Sequence, residues 1–398
     1  MTPHFNPTDA TFLDNPYPTY ARLREEAPIF FYEPWGKWVL TRYEDVSALL
    51  RDRRLGRVLD NVRVSVNPAH APFDAVQQGS LLELEPPDHT RIRTAVQDVF
   101  TPKHVRALEG RIAALAGALA DALAARPEGE ADLLTDFAEP LPVTVIAELL
   151  GVPEADRHHL VPWSKAIIGM FEPERTPAME AAAVAAAQAF ADYVRSLIAQ
   201  RRGRAQEGDL ISRMVALHER DPERLSESEI VANAILFLDA GHEAVVNVIG
   251  NAMVALLQRP ALWERLRADP ALIAGAAEEA MRFDTPLQFF ERVVRQDLRY
   301  KGFSWPRGTR LCLFYAAANR DPAVFRDPER FDLTRHPNPH LAFGLGLHFC
   351  IGAPLARLEL KHALRALTRL PGLTLATPPS YHPKNVFRYP KAVRVTFA

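Results

Sequence analysis

Through the middle of the chain, apolar positions recur at helical spacing. Residues 105–125 and 178–202 place alanines and larger apolar residues on one face and polar residues on the other, which predicts two helices. Ser226-Glu-Ser-Glu229 reads as a capping box, with Leu225 and Ile230 placed as its hydrophobic staple. It opens a helix predicted to run to about Gln258, where Arg259-Pro260 ends it. At 1.5 Å per residue such a helix spans ~45–50 Å. From Ile230 to Leu256 it is apolar nearly all round, which predicts burial. Asp269-Pro270 can cap a further helix, and residues 353–370 read as the last one, with Pro354 in its first turn. Strand-like runs are few: 37–41, 289–294, 310–314 and 393–397. The pattern predicts a mostly α fold with small β-sheets. The 33 prolines fall at element boundaries, and no repeat or long linker interrupts the chain, so a single domain over 1–398 is expected.

Composition narrows the function. With 47 basic and 49 acidic side chains, the balance of −2 gives no reason to expect a nucleic-acid partner. Two cysteines, Cys312 and Cys350, make no disulfide framework and suit a reducing compartment. The first ten residues lack the basic and apolar regions of a signal peptide. No run of 18 uninterrupted apolar residues follows. A cytoplasmic location with no membrane partner is the expectation.

Candidate chemistry starts at Cys350, in Phe343-Gly-Leu-Gly-Leu-His-Phe-Cys-Ile-Gly352. The glycines let the chain curl, and Gly352 would allow a sharp turn behind the sulfur. A thiolate ahead of a helix is stabilised by the helix dipole and unpaired N–H groups, so a metal-binding cysteine is predicted. A buried structural cysteine is the alternative, and it is the reading that fits Cys312. Within the long helix, Ala240-Gly-His-Glu-Ala-Val-Val-Asn247 puts a glycine, a histidine and a carboxylate in apolar surroundings. Those costs suggest function, with a merely paired Glu243 as the alternative. Glu279 and Arg282 share a helix face and can pair. His89 and Arg93 are four apart on one face; cationic donors so spaced suit carboxylates, or simply face solvent.

The cysteine run resembles the haem-binding loop of the cytochrome P450 family. The resemblance implies haem b (iron protoporphyrin IX), with Cys350 as the axial thiolate that favours O–O cleavage. It implies that Phe343 packs near the haem and sulfur, and that His348, His89, Arg93 and Arg292 reach its propionates. Gly241 and Glu243 match the stretch where the family's long helix loosens over the haem to admit dioxygen. The next residue departs from the pattern: the usual threonine is Ala244, and Val245 supplies no hydroxyl either. Water held by Glu243, the side chain of His242 or Asn247, or a substrate hydroxyl would have to replace it, with water or substrate favoured. Glu279 and Arg282 match the buried ion pair that braces the thiolate loop. The runs Ala318-Asn-Arg-Asp-Pro322 and Pro328-Glu-Arg-Phe331 also match, and Arg330 is expected to join that network.

The implied fold is a single, mostly helical domain, with haem between the long helix and the one following Gly352. The implied reaction is a monooxygenation: one oxygen atom from O2 enters an organic substrate, with electrons from a ferredoxin and its reductase. Arg106, Arg111, Arg357, Lys361 and His362 would form a basic docking patch. Leu236, Ala240, Leu287, Gln288 and Phe289 would line an apolar pocket for a polyketide, terpenoid, steroid or macrolide. Residues 59–84 and 163–177 would control access, with residues 171–177 of the second reading as a mobile lid turn. A peroxide-driven peroxygenase is the second reading. The arginine typical of fatty-acid peroxygenases is absent between Ile230 and Gln258. A haem-binding protein without turnover is the third.

Overall fold

A computed structural model describes residues 4–61, 67–204 and 208–398. They group into two compact units: the described residues of 4–55, 108–141 and 244–398 form one, and those of 56–107 and 142–243 the other.

In the first unit, strands Ile29–Tyr32, Lys37–Leu40, Arg310–Leu313 and Phe290–Val294 hydrogen-bond in that order. Lys37–Leu40 and Arg310–Leu313 run parallel, and the other two pairings are antiparallel. Smaller sheets join Glu130–Asp132, Arg394–Thr396 and Thr374–Leu375, and Leu298–Tyr300 with Phe303–Trp305. The four strands expected from sequence are all present, within a residue or two at each end. One face of the larger sheet packs on Phe5, Phe12, Tyr20, Phe289 and Phe314, with Cys312 fully buried among them. Burial pushes the Cys312 thiol up, so it is an inert core residue.

The long helix runs Glu227–Leu257, and its residues up to Glu243 group with the second unit. Its capping box is formed: the Ser226 N–H donates to Glu229 Oε2 at 2.8 Å, and the Glu229 N–H donates to Ser226 Oγ at 3.3 Å. Among the described residues it is the one helix long and apolar enough to cross a membrane, but 83% of its most apolar window is buried within the protein. The 178–202 prediction corresponds to Pro177–Arg201. The 105–125 prediction is corrected: Pro102–Ala107 and Glu109–Ala124 are separate helices broken at Leu108. Apolar periodicity continues across a break that disturbs only one turn, so the pattern alone cannot reveal it.

The second unit is built on Pro177–Arg201 packed against Leu160–Gly169 and Ala71–Gln77. The two segments expected to govern access meet here. The Phe73 and Phe171 rings lie edge to face at 6.3 Å, and His70 Nε2 is 3.3 Å from a Glu180 oxygen. Residues 62–66 of the first segment lie outside the described residues. The second begins inside the helix Leu160–Gly169, with Trp163 stacked on His159, and turn and coil follow over residues 170–176. Thr176 caps the next helix, its hydroxyl accepting from the Met179 N–H.

Candidate functional site

Cys350 follows a single 3-10 turn, Gly346–His348, and is exposed. Its N–H donates to the Phe343 carbonyl at 3.0 Å, closing the loop. Gly344 and Gly346 have φ of +63° and +72°, the left-handed region that glycine enters without strain. A Cβ on Gly346 would stand 2.4 Å from the Leu50 carbonyl oxygen, so the loop lies flush against that backbone. Gly352 is a correction. It caps the helix Ala353–Leu367 at φ −81°, a conformation open to other residues, and a Cβ there would only touch the cysteine sulfur at 4.0 Å.

Beside the sulfur, Leu347 and Phe349 are 42% and 37% exposed, two of the few large apolar side chains so uncovered. Phe343 is half-buried, with the Arg357 guanidinium 4.5 Å above its ring. Arg357 donates to Glu278 through Nε at 2.7 Å and Nη2 at 3.1 Å, and His340 Nε2 is 3.1 Å from the same carboxylate. Burial pushes the Glu278 carboxyl up, but the hydrogen bonds from His340 and Arg357 prevail and hold it at about 2. Arg357 therefore braces the cysteine helix instead of facing a partner. His362 is buried, 3.3 Å from Glu109. Both leave the expected docking patch.

Glu279 and Arg282 form the expected pair, fully buried, with Nη2 and Nε at 2.7 and 2.8 Å from the two carboxylate oxygens. The third member is Arg335, whose Nε lies 3.0–3.1 Å from both Glu279 oxygens. Arg330 supplies only its carbonyl, accepting from Arg282 and Arg335, while its side chain is 67% exposed beside Asp332. This corrects the expectation that the Arg330 side chain joins the network. The Glu279 helix, Ile273–Phe283, sits close because residue 275 is glycine: a Cβ there would fall 2.1 Å from the Leu333 carbonyl oxygen.

Arg292 is buried in its strand, donating to the Glu291 carbonyl at 2.9 Å. His348 is half-buried. In the second unit, His89 is buried and Arg93 half-buried on one face of the helix Asp88–Val96. Gln288 and Phe289 are corrected as pocket residues. The Gln288 amide donates to the Thr285 carbonyl and accepts from the Tyr20 hydroxyl, and Phe289 packs against Trp35 and Phe314. Leu287 is half-buried next to that core.

Along the long helix, the residues from Ile230 to Leu257 are buried except Leu236, Ala240, Gly241 and Ala244. These recur at i, i+4, i+5 and i+8, a narrow open stripe of small and apolar side chains. On Gly241 a Cβ would lie 2.8 Å from Ile146 Cγ1, so glycine allows close approach to the helix Pro140–Leu150. His242 turns back along its own helix, with Nδ1 2.7 Å from the Leu238 carbonyl and Nε2 3.8 Å from Glu243. Asp239, one turn before Glu243, is also buried and was not singled out from sequence. Its signal was available: a carboxylate inside an apolar run, spaced i to i+4 from a second one.

A model of the cytochrome P450 family matches residues 38–370. The chain belongs to that family. It is 37% identical to the polyketide biosynthesis cytochrome P450 PksS of Bacillus subtilis over 96% of both chains. It is 39% identical to the monooxygenase PikC of Streptomyces venezuelae over 96% of this chain and 91% of that one. The crystal structure of P450BioI in complex with an acyl carrier protein bearing hexadec-9Z-enoic acid matches with a TM-score of 0.91. Identity there is 35%, over 98% of this chain and all of that one. The chain is thus a haem-dependent monooxygenase, an oxidoreductase using O2, an organic substrate and a redox partner. The residues present fit a P450 haem. Among the described residues no group of three or more His, Cys, Asp or Glu could hold a metal ion alone. A lone soft thiolate on an apolar platform suits a metal whose other ligands come from a flat macrocycle.

Proposed function

We propose that the chain is a single P450 domain that hydroxylates or epoxidises a medium-sized, mostly apolar molecule of polyketide-like character. Cys350 is its axial ligand; Phe343, Leu347 and Phe349 shield the sulfur side; and His89, Arg93, Arg292 and His348 serve the propionates. The haem supplies the oxygen-activating chemistry. The protein holds the thiolate, positions the substrate and delivers protons. The observation that carries this reading is the setting of Cys350: exposed, in a glycine loop at the start of a helix, beside uncovered apolar side chains.

The open stripe Leu236, Ala240, Gly241 and Ala244 bears no charge, which supports an apolar substrate. The name of PksS, a polyketide biosynthesis cytochrome P450, favours a polyketide-like one. Electrons come from a ferredoxin and reductase, for which the exposed Arg111 and half-buried Lys361 remain as basic contacts. The location is cytoplasmic. The test is turnover of ligands first selected by spin-state shifts, with ferredoxin, reductase and NAD(P)H in one arm and peroxide alone in the other. Product in the first arm only is expected; product in the second arm alone would make the protein a peroxygenase.

A further inference from the structure

Asp239 and Glu243 lie one turn apart on the long helix, so their side chains share a face, with Cβ atoms roughly 5–6 Å apart. Both are buried, at 6% and 4% exposure. Among the described residues no lysine or arginine pairs with either; Glu243 has only His242, at 3.8 Å. One Asp239 oxygen has no hydrogen-bond partner. With no cationic side chain paired to it and a second carboxylate one turn away, Asp239 is buried where its protonated form is favoured.

Two neighbouring helices bring no counter-charge to Asp239. Across from Asp239 lies Ser164, on the helix Leu160–Gly169, whose only charged residue, Lys165, is exposed. On Pro140–Leu150 the charged residue is Glu148, paired with Arg157. Burial pushes the Asp239 carboxyl up, the Ser164 hydroxyl opposes this, and the Glu243 charge adds to it, giving a value of about 8.

We propose that Asp239 and Glu243 hold one proton between them, and that Asp239, acting through Glu243, is the proton reserve for the open stripe where Ala244 carries no hydroxyl. This rests on the monooxygenase reading above. The proton leaves a carboxyl oxygen of Asp239 for a carboxylate oxygen of Glu243, directly or through one water, and the negative charge moves to Asp239. Glu243 gives the proton up on the Ala244 side, and a proton from water refills Asp239. Asp239 is thus a positioning residue, standing one step behind Glu243.

Two readouts test this. In a Glu359→Gln background, which removes the other buried protonated carboxyl, the infrared band of a protonated carboxyl at pH 7, shifted in D2O, is expected while Asp239 is present and absent once Asp239→Asn is added. Glu243→Gln removes the neighbouring charge, so Asp239 gives up its proton more readily and the band weakens. The second readout is O2-dependent NAD(P)H oxidation with a surrogate ferredoxin and reductase, on samples matched by their reduced, carbon-monoxide-bound spectrum. Asp239→Asn is expected to slow it about tenfold and to enlarge the solvent isotope effect. Asp239→Glu is expected to stay within about threefold. In an Ala244→Thr background the loss should shrink, because the threonine opens a second route. A band that survives Asp239→Asn in the Glu359→Gln background, or unchanged rate and isotope effect in Asp239→Asn with a full carbon-monoxide spectrum, overturns the proposal. A wild type lacking the thiolate carbon-monoxide spectrum defeats the monooxygenase reading instead, and leaves the infrared arm to decide where the proton sits.

Discussion

Arg357 reaches back from the helix after Cys350 to grip Glu278 with two hydrogen bonds, at 2.7 and 3.1 Å, while its guanidinium covers the Phe343 ring at 4.5 Å. One side chain thereby ties the helix Ile273–Phe283 to the two ends of the cysteine loop. Glu278 is held at about 2, below its ordinary value. Its contribution to stability is therefore present above the unfolded value of about 4.3 and lost as pH falls toward 2. Discounting for partial exposure, Glu278→Gln should cost roughly 1–2 kcal/mol at pH 7. Denaturant melts should show the gap from wild type closing between about pH 4.3 and 2; a gap constant through that range would dissociate Glu278 from the brace.

The arginine that completes the Glu279 network is open to a direct comparison. Arg335→Ala removes a partner from a buried carboxylate and should cost about 3–5 kcal/mol. Arg330→Ala trims an exposed side chain and should stay within about 0.5 kcal/mol. Urea unfolding of the two variants side by side measures the difference, and equal losses would be contrary to it.

Much of this was legible in the sequence wherever the determining residues are neighbours in the chain. Ser226 and Glu229 close a box three residues wide, Glu279 and Arg282 pair across one turn, and the glycines beside Cys350 shape a loop of ten residues. The errors lie where distant segments decide. Arg335 and Arg330 are equally plausible partners for Glu279 until the 328–338 segment is folded against Gly275. Arg357 and His362 read as surface charges because Glu278 and Glu109 meet them only in three dimensions. Gln288 and Phe289 read as pocket residues, although Tyr20, Trp35 and Phe314 arrive to enclose them. Asp239 was passed over because it lies just before a familiar motif, and only its burial without a counter-ion sets it apart.

Gly241 and Ile146 give a packing test. Gly241→Ala gains up to about 1 kcal/mol of helix propensity. It also drives a methyl to 2.8–2.9 Å from two Ile146 carbons, an overpacking cost of about 1–3 kcal/mol. A net loss is expected, recovered in part when Ile146→Val is added. Thermal melts of the single and double variants should show that coupling, and strict additivity would argue against the contact.

Glu359 is fully buried in the helix Ala353–Leu367, with neither carboxylate oxygen hydrogen-bonded, and burial pushes its carboxyl well up. The folded state keeps the proton while the unfolded chain loses it above about pH 4.3, so stability falls with rising pH by up to about 1.4 kcal/mol per unit. Glu359→Gln removes that slope. Its stability relative to wild type should therefore be greater at pH 8 than at pH 5 in denaturant titrations, and a pH-independent difference would contradict the burial argument.

The central claim is that Cys350 is the haem thiolate, and the absorption spectrum of the reduced, carbon-monoxide-bound protein tests it most directly. The account predicts the strongly red-shifted Soret band of a thiolate-ligated haem in the wild type, and its replacement by the band of a histidine-ligated haem in Cys350→His. A wild-type band at the histidine-ligated position, or a red-shifted band that survives Cys350→His, would contradict it.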